Sequence, residues 1–217
     1  MTSHRRKIKK IALIYVLMVL AIVFYIAGHL GFNYLTKNVH VVIPDKIYRA
    51  AQLNQQEWET YTQKYHFKTI INLRGPWPSN SWYRIEKNFA KKNHIHYYSI
   101  YFLAYELPNK NNLRKLVHVL LTAPKPLVFH CEGGADRTGM AAAISVILFD
   151  KHATIAQIKY QDSWHYNAIS RKTIGYQVLR NYFAWLKQHH DTLSKNSFLK
   201  WLNSSAQMKP YYGWFLT

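Results

Sequence analysis

The chain has one cysteine, Cys131, set in the run His130-Cys131-Glu132-Gly133-Gly134-Ala135-Asp136-Arg137-Thr138-Gly139. The short apolar piece Leu127-Val128-Phe129 precedes it, and Thr138–Phe149, almost entirely apolar, follows. A strand, a tight loop and a buried helix in that order turn successive backbone N–H groups toward one point. Gly133 and Gly134 permit the curl because they carry no Cβ, and the helix adds the positive end of its dipole. Such a nest binds a tetrahedral anion, phosphate or sulfate, and favours the thiolate form of a cysteine at its base. Arg137 stands six residues after Cys131, and its guanidinium can fork onto two phosphate oxygens. Nucleophile and anion clamp converge on one phosphoryl group. A structural cysteine beside a glycine-rich turn is the plainer reading, but it leaves the Arg-Thr-Gly at this offset unexplained.

The elements that must hold this loop read as alternating strands and helices. Val39–Ile43 and Ile47–Arg49 are short β-rich pieces split by Pro44-Asp45. Lys68–Leu73 is a buried strand ended by Arg74-Gly75-Pro76, His96–Phe102 a strand rich in Tyr and Ile, and Pro126–Cys131 the strand before the loop. Helices are expected over Gln55–Lys64, capped by Asn54, then Trp82–Lys92, Asn111–Thr122, Thr138–Phe149, Ile155–Trp164 and Ile174–Gln188. This order predicts an α/β fold, a mostly parallel central sheet flanked by helices. A small helical bundle is expected to close the chain. Arg74, at the C-terminal end of a strand, lies where open α/β sheets bind ligands. It either touches substrate, braces the loop or forms a structural salt bridge.

The first thirty residues stand apart from that fold. Arg5, Arg6, Lys7, Lys9 and Lys10 precede Ile11–Ala27, which has no charged side chain. An apolar helix of that length rises about 25–30 Å, near the thickness of a bilayer core. A cleaved signal peptide has a similar basic start, but usually a shorter apolar run and a small-x-small cleavage site. Three segments are therefore expected: a basic cytoplasmic end at 1–10, a transmembrane anchor at 11–30 and an exported domain at 31–217. The basic flank places the domain outside the cytoplasm; in a Gram-negative bacterium it would be periplasmic, on the inner membrane. Of the 217 residues, 29 are Lys or Arg and 10 Asp or Glu, a formal charge of +19. Five of the cations precede the span, so the exported part retains 24 − 10 = +14. A hydrophobic fraction of 49% excludes a disordered polycation, and a single cysteine excludes a disulfide-stapled fold.

His130-Cys131-x5-Arg137-Thr138-Gly139 resembles the signature of the cysteine-dependent phosphatases, the tyrosine and dual-specificity superfamily. Ile47-Tyr48-Arg49-Ala50-Ala51-Gln52 and Thr69-Ile70-Ile71-Asn72-Leu73-Arg74 resemble early strands of small bacterial members, so the resemblance spans roughly residues 40–190. It implies that Cys131 attacks phosphorus and forms a cysteinyl-phosphate, which water then hydrolyses. It implies that Arg137 and the amides of Glu132, Gly133, Gly134 and Ala135 hold the phosphoryl oxygens. Thr138 would hydrogen-bond the departing thiolate, and His130 would act on the thiolate from the side away from substrate. No metal or organic cofactor is implied. Relatives usually supply a general acid, an Asp, from a loop well before the nucleophile. Here Ser99–Lys110 contains no Asp, and its one acid is Glu106. Asp136, directly before Arg137, gives an Asp-Arg-Thr ending that resembles phosphoinositide phosphatases of the myotubularin and Sac types. Asp136 is favoured over Glu106 as proton donor, because proton transfer demands reach.

The resemblance and the charge together imply a phosphorylated protein or an anionic phospholipid head group as substrate. A non-catalytic phosphate-binding module and a rhodanese-like sulfur transferase are the competing readings. The former does not need the thiolate, and the latter fits the His, the spacing and the Thr-Gly less well. Nucleic-acid binding rests on charge alone, and the cations are scattered. His94-Ile95-His96 and His189-His190 lack the carboxylates of a metal site. The aromatic tail from Trp201 to Leu216 is expected to pack on the domain, with the membrane interface as the alternative.

Overall fold

A computed structural model describes residues 2–214, with side chains from residue 7 onward; Arg5, Arg6, Phe215 and Leu216 thus lie outside the described side chains. The first unit is one helix, α1 (Thr2–Leu35). No proline interrupts it, and every side chain from Lys7 to Gly28 is exposed. Within Lys7–Leu35 an 18-residue window reaches a mean hydropathy of 2.7, and the stretch is long and apolar enough to cross a membrane. Each Leu, Ile or Val left in water forfeits about 1.5–3 kcal/mol of burial, so a helix with this face needs an apolar surrounding. The second unit begins at Lys37.

In that unit, five strands form one sheet in the order β1-β2-β5-β3-β4: β1 (His40–Ile43), β2 (Ile47–Ala50), β3 (Thr69–Asn72), β4 (His96–Ser99) and β5 (Leu127–His130). Only the β1–β2 hairpin is antiparallel; β2, β5, β3 and β4 pair in parallel. Helices cover both faces. Side chains alternate across a strand, so Leu127 and Phe129 enter the cluster with α4 (Lys110–Thr122), α5 (Asp136–Phe149), α7 (Ile174–Gln188) and α8 (Lys195–Asn203). Val128 enters the opposite cluster with α2 (Gln55–Tyr65) and α3 (Ser81–Lys92). The same alternation sends His130 and Cys131 to opposite faces, a separation on which the site depends.

Helix α5 is the pivot of the fold. Thr138 through Leu148 are all buried, as expected of a helix that is apolar all round. It begins at Asp136, two residues before the apolar run predicts, which puts Asp136 and Arg137 in the first helical turn. Asn54 caps α2 through a reciprocal capping box with Glu57, as expected. Two expected elements are shorter. β4 stops at Ser99, although the amides of Ile100 and Phe102 still bond to the carbonyls of Asn72 and Leu73 at 2.9 and 3.3 Å. α6 (Ile155–Tyr160) ends before Gln161, and a single 3-10 turn follows at Trp164–Tyr166. In the tail, Trp201 packs into the core while Tyr212 and Trp214 are exposed.

Candidate active site

The loop between β5 and α5 emerges at the C-terminal edge of the parallel strands. Its conformation is held from behind, by donors that take its carbonyls. Arg49 on β2 is completely buried; it donates to the Gly134 carbonyl at 2.9 Å and to the Gln161 carbonyl at 2.7 Å. Its guanidinium lies 3.7 Å over the Tyr166 ring. Burial lowers its pKa to about 10, against the opposing pull of Tyr166, Asp162 and Cys131 close by. The Asn38 amide donates to the carbonyls of Gly133, Gly134 and Tyr166 at 3.3, 3.2 and 3.0 Å. The backbone amide of Gln52 bonds the Glu132 carbonyl at 3.0 Å. Carbonyls drawn back in this way leave the loop's N–H groups free to converge on an anion.

Gly134 is the residue the loop cannot change. Its φ is +67°, and a Cβ there would lie 2.8 Å from the Ala51 nitrogen and 2.9 Å from the Ala50 carbonyl carbon. At Gly133 nothing lies within 4 Å of an added Cβ.

Cys131 is buried, 2% exposed, on the α5 side of the sheet. Arg137 stands in the first turn of α5 and is half-buried. Its Nη1 reaches the Phe102 carbonyl at 3.5 Å, and its Nη2 lies 3.9 Å from the Glu132 carboxylate. Arg74 comes from the end of β3 to the same carboxylate, at 3.7 Å. It also donates to Gln52 Oε1 at 3.1 Å and stacks 3.8 Å over Trp82. The Glu132 side chain is 71% exposed, so its hold on the two guanidiniums is the weak, solvent-screened kind that a phosphate dianion displaces. Arg74 therefore braces the loop through Gln52 and shares the Glu132 carboxylate with Arg137.

His130 points to the other face, where it is fully buried. Its Nε2 lies 3.1 Å from a carboxylate oxygen of Glu86 on α3, off the line of a hydrogen bond. Glu86 is also fully buried, and accepts from Tyr97 Oη at 2.7 Å and Gln52 Nε2 at 2.6 Å. Burial alone would raise the Glu86 pKa; the adjacent His130 imidazole and the hydrogen bonds from Tyr97 and Gln52 bring it below the usual value. Trp58 of α2 closes over the imidazole, ring centroids 5.5 Å apart. Glu86 lies on the buried stripe Tyr83, Glu86, Phe89, Ala90 of α3. An acid on an apolar helical stripe was the one signal in the sequence that could have exposed this pair.

The two candidate acids part company. Asp136 stands beside Arg137, and burial pushes its carboxyl above the usual range, against the pull of its own backbone N–H and of Arg137. The Tyr105 phenol lies near enough to Asp136 for that carboxylate to raise its pKa. Glu106 is exposed and borders a depression with Tyr105, Leu107, Lys172, Gln177 and Tyr211. The Thr138 hydroxyl is buried behind the loop without a hydrogen-bond partner among the described residues. So His130, Cys131, Glu132, Gly133, Gly134, Ala135, Asp136, Arg137, Thr138 and Arg74 form one constellation, and Glu106 lies outside it. Among the described residues no three His, Cys, Asp or Glu side chains gather as a metal site. Beyond the expected residues, the site recruits Arg49, Asn38, Gln52, Glu86 and Asp162. Burial is the main cause that raises Asp162 to about 7, and Asp136 adds to it.

A family model described as "Tyrosine phosphatase family" matches residues 29–206. Among solved structures, the core catalytic domain of the PP-IP phosphatase Siw14 from S. cerevisiae, in complex with citrate, matches with a TM-score of 0.55 at 18% identity. The match covers 70% of this chain and 93% of that one. PTPMT1 in complex with PI(5)P matches with a TM-score of 0.52 at 14% identity, covering 70% of this chain and 98% of that one. At these identities the likeness is one of fold. No curated protein sequence matches the chain.

Proposed function

The chain belongs to the tyrosine phosphatase family, and on that premise we propose that it is a membrane-anchored phosphatase acting on phosphomonoesters through a cysteinyl-phosphate on Cys131. The observation that carries this reading is one loop with a buried cysteine at its base, Arg137 beside it and its carbonyls tied back by Arg49 and Asn38.

The ester's phosphoryl group enters the loop and displaces the Glu132 carboxylate from Arg74 and Arg137. The Cys131 thiolate attacks phosphorus in line, so the P–S bond forms as the P–O bond to the leaving group breaks. Asp136 gives its proton to the departing oxygen, and its raised pKa keeps that proton available. Arg137 and the amides from Glu132 to Ala135 stabilise the charge on the equatorial oxygens. Water then attacks phosphorus, Asp136 takes a proton back, and the products are phosphate and the free thiolate. The Thr138 hydroxyl, with no other partner, serves the leaving sulfur. His130, fixed by Glu86, supports Cys131 from the opposite face of the sheet.

The apolar helix α1 anchors the chain, its basic end in the cytoplasm and the domain beyond the membrane. With +14 on the exported part, anionic phospholipid head groups are the first substrate class and phosphotyrosine in protein the second.

Cys131→Ser is expected to abolish hydrolysis of an aryl phosphate while the domain stays folded; surviving turnover rejects the mechanism. Asp136→Asn should slow an alkyl phosphate far more than an activated aryl phosphate, whereas Glu106→Gln should slow neither. Equal, small losses in both variants would remove Asp136 from the acid role. A panel of phosphoinositides, phosphatidylglycerophosphate and phosphotyrosine peptides, each with vesicle-bound enzyme, ranks the substrate classes.

A further inference from the structure

A second concave site lies outside the loop of Cys131. A cavity of about 610 Å³ opens between the end of α6, the segment 163–171 and the middle of α7. That volume is in the range of a site for one small ligand. Trp164, Ala168, Tyr176, Leu179 and Phe183 give it apolar and aromatic walls. Three cations line it as well, Lys159, Arg171 and Arg180. Among the described residues none of the three forms a salt bridge. Lys159 rests 5.7 Å over the Phe183 ring, and Arg180 spends one donor on the Lys209 carbonyl at 3.2 Å.

The only acid in the lining is Asp162. It is packed against α5 and α7: a Cβ on Gly139 would come within 2.6 Å of its carboxylate, and one on Gly175 within 2.5 Å. One oxygen accepts from Thr173 at 3.3 Å, and the other is buried without a partner. With its pKa near 7, this carboxyl carries only part of a charge at neutral pH and opposes the three cations weakly.

We propose that this cavity is a binding site for a single-chain amphiphilic anion, with the chain against Trp164, Tyr176, Leu179 and Phe183 and the head group on Lys159, Arg171 and Arg180. Charge complementarity selects the anion: three cations line the cavity against a single carboxyl. The walls select the chain, because a bare inorganic anion would leave the partly exposed Trp164, Tyr176 and Phe183 facing water. The site goes beyond the phosphatase reading and does not rest on it: its cations and its apolar walls lie outside the Cys131 loop, and Asp162 is the lining residue that both sites share. Its floor does lie against Gly139, two residues past Arg137, so its occupant sits next to the catalytic helix.

The test uses the full chain in phosphatidylcholine nanodiscs and a dodecanoate bearing a diazirine, photolysed and mapped by mass spectrometry. Saturable labelling is expected on Trp164 and on residues 176–183. It should be competed by dodecanoate and by dodecylphosphonate, not by dodecanol, and be unaffected by orthovanadate at concentrations that fill the Cys131 loop. Arg171→Glu with Arg180→Glu should reduce the labelling at least tenfold. The milder Arg171→Gln with Arg180→Gln should reduce it in part, and thermal unfolding confirms that either pair is folded. Labelling confined to α1, equal competition by dodecanol, loss of label with vanadate, or undiminished label in the folded Glu pair would each overturn the proposal.

Discussion

Gly134→Ala isolates the contribution of the loop's backbone, and the neighbouring Gly133→Ala supplies its control. An alanine at 134 must adopt φ near +67°, which costs a residue with a Cβ roughly 1–2 kcal/mol. Its methyl would lie 2.8–3.0 Å from three backbone atoms of Ala50 and Ala51. These atoms belong to β2 and its continuation and cannot swing aside, so the loop must move by several tenths of an ångström. That movement stretches the bond from Arg49 to the Gly134 carbonyl, now 2.9 Å; a hydrogen bond from a charged donor contributes about 1.5–3 kcal/mol. Together these place the loss of stability at about 2.5–5 kcal/mol, or about 5–20 °C in Tm for a domain of this size. The displaced amides should lower kcat by about 100-fold. At Gly133 an added methyl meets nothing, and both quantities should stay near the parent values. Urea unfolding followed by tryptophan fluorescence, with aryl phosphate kinetics on the same preparations, measures both. If Gly134→Ala keeps the parent's stability and kcat, or Gly133→Ala is as damaging, the loop is not held as described.

Glu86→Gln should cost about 1–3 kcal/mol in urea unfolding, the range for buried polar groups whose acceptor is weakened; unchanged stability would mean that Glu86 does not hold His130, Tyr97 and Gln52 together. Arg49→Met should reduce kcat by at least tenfold with little change in KM. Arg49→Lys should not restore it, because an ammonium cannot bond two carbonyls and stack on Tyr166 together; full rescue by Lys would reduce Arg49 to a buried charge. Asp162 has a pKa raised to about 7 in the folded protein and near 3.9 when unfolded. Between those values the folded state holds a proton that the unfolded state has released, so this group's stabilisation is lost as pH rises through about 7. The Tm of Asp162→Asn minus that of the parent should therefore grow from pH 4 to pH 7 and level off above it. A difference independent of pH would refute the assignment.

The chemistry of the loop was legible because its parts are contiguous in sequence. Thiolate, glycines and arginine lie within seven residues, and the apolar runs on either side name the strand and helix. The sheet was legible for a similar reason: buried parallel strands are short β-branched runs, and Lys68–Leu73 and Pro126–Cys131 bracket the observed β3 and β5. The start of α5 was misplaced because apolar periodicity marks the buried part of a helix, whereas Asp136 and Arg137 form a polar first turn. β4 was overextended because Tyr101 and Phe102 have high β propensity but pair only through isolated bonds. The supports of the loop were barely legible: only Glu86 left a trace, as an acid on an apolar helical stripe. Arg49, Asn38, Gln52 and Glu86 act through distant carbonyls and side chains, and no local pattern states which carbonyl a buried arginine will meet. The two acids were separable only in three dimensions, since both lie within plausible reach of the nucleophile in sequence.

The carbonyls of Glu132, Gly133 and Gly134 are occupied by donors belonging to the body of the domain, Gln52, Asn38 and Arg49. The loop is thus shaped before any substrate arrives, and no ordering entropy is spent when an ester binds. The same preformation has a kinetic cost. A cradle that grips the phosphoryl part of an ester grips inorganic phosphate with the same amides and the same guanidiniums. On the proposed mechanism inorganic phosphate competes with the ester for that cradle, so added phosphate should raise the apparent KM and leave kcat unchanged.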